Sequence, residues 1–355
     1  MDLRFAIPRV DGRGAGLGNE LIVWAKAFIG AQALGLRLLH PAWGLNRRNY
    51  RRYFRTSRLD WASQKLLRMS LPAYEFEETD YRSSPNLDLH TAILAYGEKH
   101  GLRHQHAFTL SFSGLWGGFR ELRSARQYLL SQLLPTTGTI RNLYEIDRRF
   151  EADALRVGLH IRRGDFTAPV ENYSGRFNVA IGLEWYLAIA RELQRAFGSK
   201  VSFLVVSDAE EEDLIDLTRQ FRCVTTGDMD FRDISDLLAL SACDFIVCSI
   251  SSFSAWAALL STGRYGWYSP QLTSKNGYVS IWGHEAFQAS PRGETARSAE
   301  SMDASGSSVV RPRGVPIASD GSLPSELLDD LSRTLSLKSV HSDLIQYGVV
   351  REASS

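Results

Sequence analysis

The sequence predicts an α/β fold built on parallel, doubly wound sheet, and three observations predict it. From residue 157 onward, apolar stretches of strand length alternate with stretches of helical period. One of them, Asp244-Phe245-Ile246-Val247-Cys248, is continuously apolar after its first residue, as strands covered on both faces are. The chain also opens with strand-like Arg4–Val10, a glycine-rich turn from Gly12 to Gly18 and helical Leu21–Leu34, which is how a Rossmann-like unit begins.

Composition narrows the function. With 355 residues, 44% hydrophobic and 23% charged, the chain reads as a soluble globular protein long enough for two cores. A formal net charge of +1 argues against broad nucleic-acid binding, which needs a strongly basic domain. Cys223, Cys243 and Cys248 are odd in number, lack metal-ligand spacing and sit in apolar or strand-like segments, so they read as reduced core thiols. The amino-terminal MDLRFAIPRVDGRG has no apolar signal-peptide core, and Lys26 and Asp244 interrupt the longest apolar segments, so no membrane span is expected. The expected address is cytoplasmic, with the inner face of a membrane as the variant if the basic stretch below meets lipid.

In chain order, Pro8 confines the first strand to a sheet edge or marks its end. The free N–H groups at the start of the following helix suit an anion or polar ligand, although the glycines answer equally to a tight turn. Leu36–Leu39 is a second strand. In GLNRRNYRRYFRTSR, a helix would align Arg47, Arg48, Arg51, Arg52 and Arg55 in one stripe. Such a stripe, within Arg47–Arg58, is the candidate for peripheral membrane contact, an acidic acceptor or a partner; a charge run is more often a solvated face, and Glu75, Glu77, Glu78 and Asp80 are close enough in sequence to neutralise it. His100, His104 and His106 lack supporting cysteines or carboxylates, so no metal site is assigned. Strand-like Phe108–Phe112 leads to Gly114–Phe119, where Trp116 and Phe119 are candidates for stacking on a sugar acceptor, with core packing as the commoner fate of aromatics. A helix over Arg123–Leu134 stops at Pro135.

The second half carries the chemistry. Strand Val157–Ile161 breaks into Arg162-Arg163-Gly164-Asp165, and alternation puts Val157, Leu159 and Ile161 on one face with Gly158, His160 and Arg162 on the other. Arg162 then ends a strand, where open α/β sheets bind ligands, and its fork of donors matches a phosphate or carboxylate. A surface ion pair with Asp165 is the bland reading. After the polar loop Thr167–Asn178 come helix Leu183–Phe197, strand Val201–Val206 ending in Ser207-Asp208, helix Asp213–Phe221, strand Cys223–Thr225, helix Asp233–Ala242, strand Asp244–Cys248 and helix Ala255–Leu260. Ser251 and Ser252 precede that last helix and could hold phosphate with its N–H groups or simply cap it. Composition turns to Ser, Gly, Arg and Glu over 288–322, expected to be flexible, and 323–355 is expected to hold a docking helix and a fraying tail.

Several of these stretches resemble one family. His160-Ile161-Arg162-Arg163-Gly164-Asp165-Phe166 is similar to the signature of α-1,2-fucosyltransferases and, more loosely, of the α-1,6 and protein O-fucosyltransferase superfamily. Gly16-Leu17-Gly18-Asn19-Glu20 resembles the family's opening motif, Leu183-Glu184-Trp185-Tyr186 the segment after the arginine loop, Phe203–Asp208 its Ser-Asp strand, and Asp236 through Trp256 its closing motif. The resemblance implies a GT-B-like pair of Rossmann-like domains facing a cleft: an acceptor-side domain over 1–138 and a GDP-sugar domain over 139–287. It implies inverting, metal-independent transfer of L-fucose from GDP-β-L-fucose to a glycan hydroxyl with no cofactor, in an α-1,2 linkage. Alternatives are α-1,6 or O-fucosyl transfer, another GDP-sugar, or a non-catalytic GDP-sugar or glycan-binding module. By the same correspondence Arg162 contacts the diphosphate, aided by Arg163; Ser251 and Ser252 hold phosphate oxygens; Asp236 and Asp208 reach the guanosine; and His160, Ser207, Gly16, Gly18 and Asn19 complete the donor side. Asp165 and Glu171 are the candidate bases, and Asp165 could instead orient an arginine. Ile250 and Ala255 depart from the family's asparagine and first tryptophan, and Glu20 from its glutamine.

Overall fold

In the computed structural model of the chain, residues 2–9, 15–43, 48–55, 58–83, 89–115, 119–169, 179–270 and 314–338 are described. The chain divides into two compact units, Met1–Thr137 and Gly138–Ser355.

In the first unit, β1 (Leu3–Pro8), β2 (Arg37–Leu38), β3 (Ala73–Phe76) and β4 (Ala107–Phe112) form a parallel sheet in the order β2-β1-β4-β3. β1 is interior, and Pro8 is tolerated because it is the last residue of the strand. The helix Leu17–Leu34 packs on this sheet closely enough that a Cβ at Gly30 would lie 2.0 Å from the Phe112 ring. The single arginine stripe does not form. Asn49 and Arg55 have φ of 56° and 55°, so the helix there runs only from Arg51 to Phe54; Arg47 lies outside the described residues. Glu75 does not neutralise those arginines either: Arg9 Nη1 donates to both of its oxygens, at 2.6 and 2.7 Å, and Ser113 Oγ donates at 3.0 Å. Glu77 and Asp80 instead form a capping box on the helix Glu78–Arg82.

In the second unit, β5 (Leu155–Ile161), β6 (Val201–Ser207), β7 (Cys223–Thr225), β8 (Phe245–Cys248), β9 (Arg264–Tyr268) and β10 (Gly314–Ile317) are all parallel, in the order β10-β9-β8-β5-β6-β7. Read from β7, this is the 3-2-1-4-5-6 order of the Rossmann sheet, whose strand order reverses between β5 and β8. Every residue of β5 is buried, so the expected division into a buried and an open face is replaced by cover on both sides. The helix Leu183–Phe197 buries Trp185, Leu187, Ile189 and Leu193 against one face, each stabilising by roughly 1.5–3 kcal/mol relative to exposure.

The expected flexible segment 288–322 is corrected at its end, where Gly314–Ile317 extends the sheet beside β9. A short apolar sequence is enough once a neighbouring strand offers its free backbone groups. The helix Ser325–Lys338 docks on the same unit through buried Leu327 and Leu331, and Lys338 Nζ lies 2.5 Å from Asp244 Oδ2. The helix Thr139–Arg149, absent from the predicted elements, buries Thr139, Asn142, Leu143 and Ile146, an i, i+3, i+4, i+7 pattern that its sequence does contain.

Candidate functional site

Because the second sheet is wholly parallel, the carboxyl ends of β5, β6, β7 and β8 share one edge, and Arg162, Asp208, Thr226 and Ser249 follow those strands directly. Arg162 sits at the switch point. Its Nη1 lies 2.5 Å from Asp208 Oδ2, its Nη2 donates to Asp165 Oδ1, and its guanidinium lies 5.1 Å from the Phe166 ring centroid. The side chain is 19% exposed. The ion pair with Asp165 foreseen as the bland reading is therefore present, joined by Asp208. The guanidinium is thus held by one hydrogen bond, to Asp165, and one ion pair, with Asp208, and a fork of five N–H donors has further donors that match an anion.

Asp208 also accepts the backbone N–H of Arg163, 2.8 Å from its Oδ1. Gly164 permits this approach: a Cβ there would lie 2.3 Å from Asp208 Oδ2. Arg163 turns away from the strand end, donating from Nη1 to the Ile181 carbonyl at 2.6 Å, so it braces the loop. Ser207, expected to face the donor, instead closes the turn: its hydroxyl donates to the Ile161 carbonyl at 2.7 Å and accepts the Ala209 N–H at 3.0 Å.

On the other side of the switch point, Ser251 caps the helix Ser252–Leu260 by accepting the Ser254 N–H at 3.2 Å. Ser252, half-buried, is the first residue of that helix. His160 locks this helix start to β5. Its Nδ1 lies 2.5 Å from Ser254 Oγ and 2.9 Å from Ser249 Oγ, and its ring stacks on Phe253 with centroids 5.0 Å apart. His160 is only 3% exposed, and burial, reinforced by nearby Arg162, pushes its pKa down to about 3. A neutral imidazole under the serine loop supports the site from below. Ser249, Ser254 and Phe253 were not singled out in the sequence; the clustering of four serines in 249–254 is the signal that marks them.

Asp236 lies in the helix Arg232–Ser241 and is 4% exposed. Thr226, just past β7, hydrogen-bonds its carboxyl, while Oδ1 has no hydrogen-bond partner among the described residues. Burial raises its pKa to about 7, Asp233 adds to the rise, and Thr226 and Arg232 oppose it. A buried oxygen without a partner is an acceptor in want of a donor.

Gly16, Gly18 and Asn19 belong to the first unit. Gly16 caps its helix, its carbonyl accepting the N–H groups of Asn19 and Glu20 at 3.0 and 3.2 Å. Phe119 is a correction: it is 6% exposed and packed in the core, so its ring is not presented for stacking. Trp116 and Glu171 lie outside the described residues. His106 pairs with Asp2, and His100 packs against Tyr96. No group of three or more His, Cys, Asp or Glu among the described residues could hold a metal ion.

Comparison with known proteins places this edge in context. Residues 109–276 match the model of glycosyl transferase family 11, a span running from β4 past β9. No curated protein matches the chain. Among solved structures, fucosyltransferase NodZ from Bradyrhizobium is 14% identical, with 73% of this chain and 93% of that one covered and a TM-score of 0.43. POFUT1 in complex with GDP-fucose is 12% identical, with 75% and 98% covered and a TM-score of 0.47.

Proposed function

We propose that the chain is an inverting, GDP-fucose-dependent fucosyltransferase that moves L-fucose from GDP-β-L-fucose to a glycan hydroxyl, forming an α-1,2 linkage. The observation that carries this reading is that Arg162 and the serine-capped helix follow the carboxyl ends of the neighbouring strands β5 and β8, at the reversal point of a Rossmann sheet and inside the span that matches a glycosyltransferase family. That edge suits a nucleoside diphosphate, with the guanidinium and the helix N–H groups converging on the phosphates. The open Oδ1 of Asp236 suits the adjacent N–H donors of a guanine base.

The reaction follows from these assignments. An acceptor oxygen attacks C1 of fucose from the face opposite the diphosphate, the C1–O bond to phosphate breaks, and its electron pair leaves with GDP. Arg162, held by Asp208 and Asp165, meets charge that grows during that step, so it stabilises the transition state more than the ground state. The guanidinium fills the place of a metal cation in this scheme, and transfer is expected to survive chelation. Asp165, paired with Arg162 and 59% exposed on its side chain, is assigned to orienting the arginine. Glu171 remains the carboxylate proposed to take the acceptor proton.

The test is incubation with GDP-fucose and a panel of glycan acceptors, with chemical analysis of the linkage. Arg162→Ala should lower transfer at least about 100-fold, roughly 3 kcal/mol, with the melting temperature kept. Calorimetric binding of GDP without turnover on any acceptor would favour the non-catalytic module instead. Full activity of Arg162→Ala would sink the assignment.

A further inference from the structure

We propose that the helix Arg58–Ser70, with the arginines just upstream of it, docks the protein on an anionic lipid surface. The helix is oriented against the usual rule for globular proteins. Leu59, Leu66 and Met69 are 77%, 63% and 75% exposed, and Trp61 is 38% exposed. At about 100° per residue, Leu59, Ala62, Leu66 and Met69 fall within about 80° of arc, a continuous apolar stripe. Inward lies the polar side, where Gln64 Nε2 donates to the His40 carbonyl at 2.5 Å and Arg68 is half-buried. That anchor fixes the rotation of the helix, so the apolar stripe is turned outward by the fold itself.

Charge selects the occupant. Between positions 48 and 70 there are seven basic residues against one acidic residue, Asp60. Arg52 and Arg55 are exposed, and Lys65, whose Nζ lies 5.4 Å from the Trp61 ring centroid, borders the stripe. An isologous contact with a second copy would bring this one-sign surface against itself, which repels. An anionic bilayer offers both what the stripe and what the border need: acyl chains for Leu66 and Met69, and phosphates for the basic rim. Among the described residues no helix is long and apolar enough to cross a membrane, so the helix would lie in the interface plane. This inference stands apart from the catalytic reading and fails or survives independently of it.

The full chain is to be sedimented with vesicles of phosphatidylcholine alone and with phosphatidylglycerol added, at low and high salt. The expected result is binding to the anionic vesicles that weakens with salt. Leu66→Glu/Met69→Glu should lower partitioning at least about 100-fold, since two side chains no longer enter the acyl boundary. Arg55→Gln/Lys65→Gln should lower it about 10-fold. Both pairs are at the surface and should keep the wild-type melting temperature and transfer to a soluble acceptor. Failure to bind anionic vesicles, equal binding to neutral ones, or undiminished binding by Leu66→Glu/Met69→Glu would each overturn the proposal. So would a wild-type dimer that Leu66→Glu/Met69→Glu dissociates, because a second copy would then own the stripe.

Discussion

Asp236→Asn offers the most quantitative test of the proposed donor site. In the folded chain burial raises the Asp236 pKa from 3.8 to about 7. At about 1.36 kcal/mol per tenfold change in proton affinity, the rise corresponds to roughly 4 kcal/mol. A folded pKa above the unfolded one contributes stability that is complete below about pH 3.8 and is lost as pH rises through about 7. Asparagine carries no proton to lose. The stability of the wild type relative to Asp236→Asn should therefore fall by roughly 4 kcal/mol between about pH 4 and about pH 8, as read by urea unfolding at a series of pH values. GDP reverses the sign of the effect on binding. If guanine N–H groups meet the open Oδ1, they favour the carboxylate, so GDP affinity of the wild type should climb with pH up to about 7 and then level off. In Asp236→Asn that climb should vanish, with binding weaker than wild type above about pH 7. Superimposable pH–stability curves for the two proteins would show that Asp236 is not desolvated as described. A normal pH–stability difference with unchanged GDP affinity would leave the burial intact and remove the base contact.

Other perturbations probe the supports of Arg162. Gly164→Ala would place a Cβ 2.3 Å from Asp208 Oδ2, so one of the two must move; a loss of about 1–3 kcal/mol in stability and a larger proportional loss in kcat than in GDP affinity are expected from unfolding curves and steady-state kinetics. Because the His160 pKa falls to about 3, its contribution to stability is complete above about pH 6.5 and is lost as pH drops toward 3. His160→Gln should flatten that acid limb of the denaturation profile, and an acid limb identical to wild type would refute the buried neutral imidazole. Ser254→Ala removes a 2.5 Å partner of His160 and should raise the KM for GDP-fucose several-fold, whereas Ser254→Thr should restore it if the hydroxyl is what matters.

What the sequence determined by itself was local. The apolar run of β8, the helical period of Leu183–Phe197 and the abrupt change from Ile161 to Arg162 all express preferences of neighbouring residues, which is why the alternation of strand and helix and the arginine at a strand end were legible. Three features were settled only when strands distant in sequence came together. Interior placement in the sheet buried both faces of β5, where alternation alone implied one. The free edge of β9 recruited Gly314–Ile317 out of a stretch whose composition suggested flexibility. The reversal of strand order put β8 on one side of β5 and left β6 on the other, so Ser254 beyond β8 and Asp208 beyond β6, separated from His160 and Arg163 by 94 and 45 positions, could close on them. Local torsional preference can be read along a chain, but desolvation and ion pairing depend on which groups become neighbours, and the sheet order alone decides that. The arginine-rich turn shows the limit most sharply: its charge was plain in the sequence, yet the left-handed backbone at Arg55 and the grip of His40 on Gln64 determine which way the adjoining apolar helix faces.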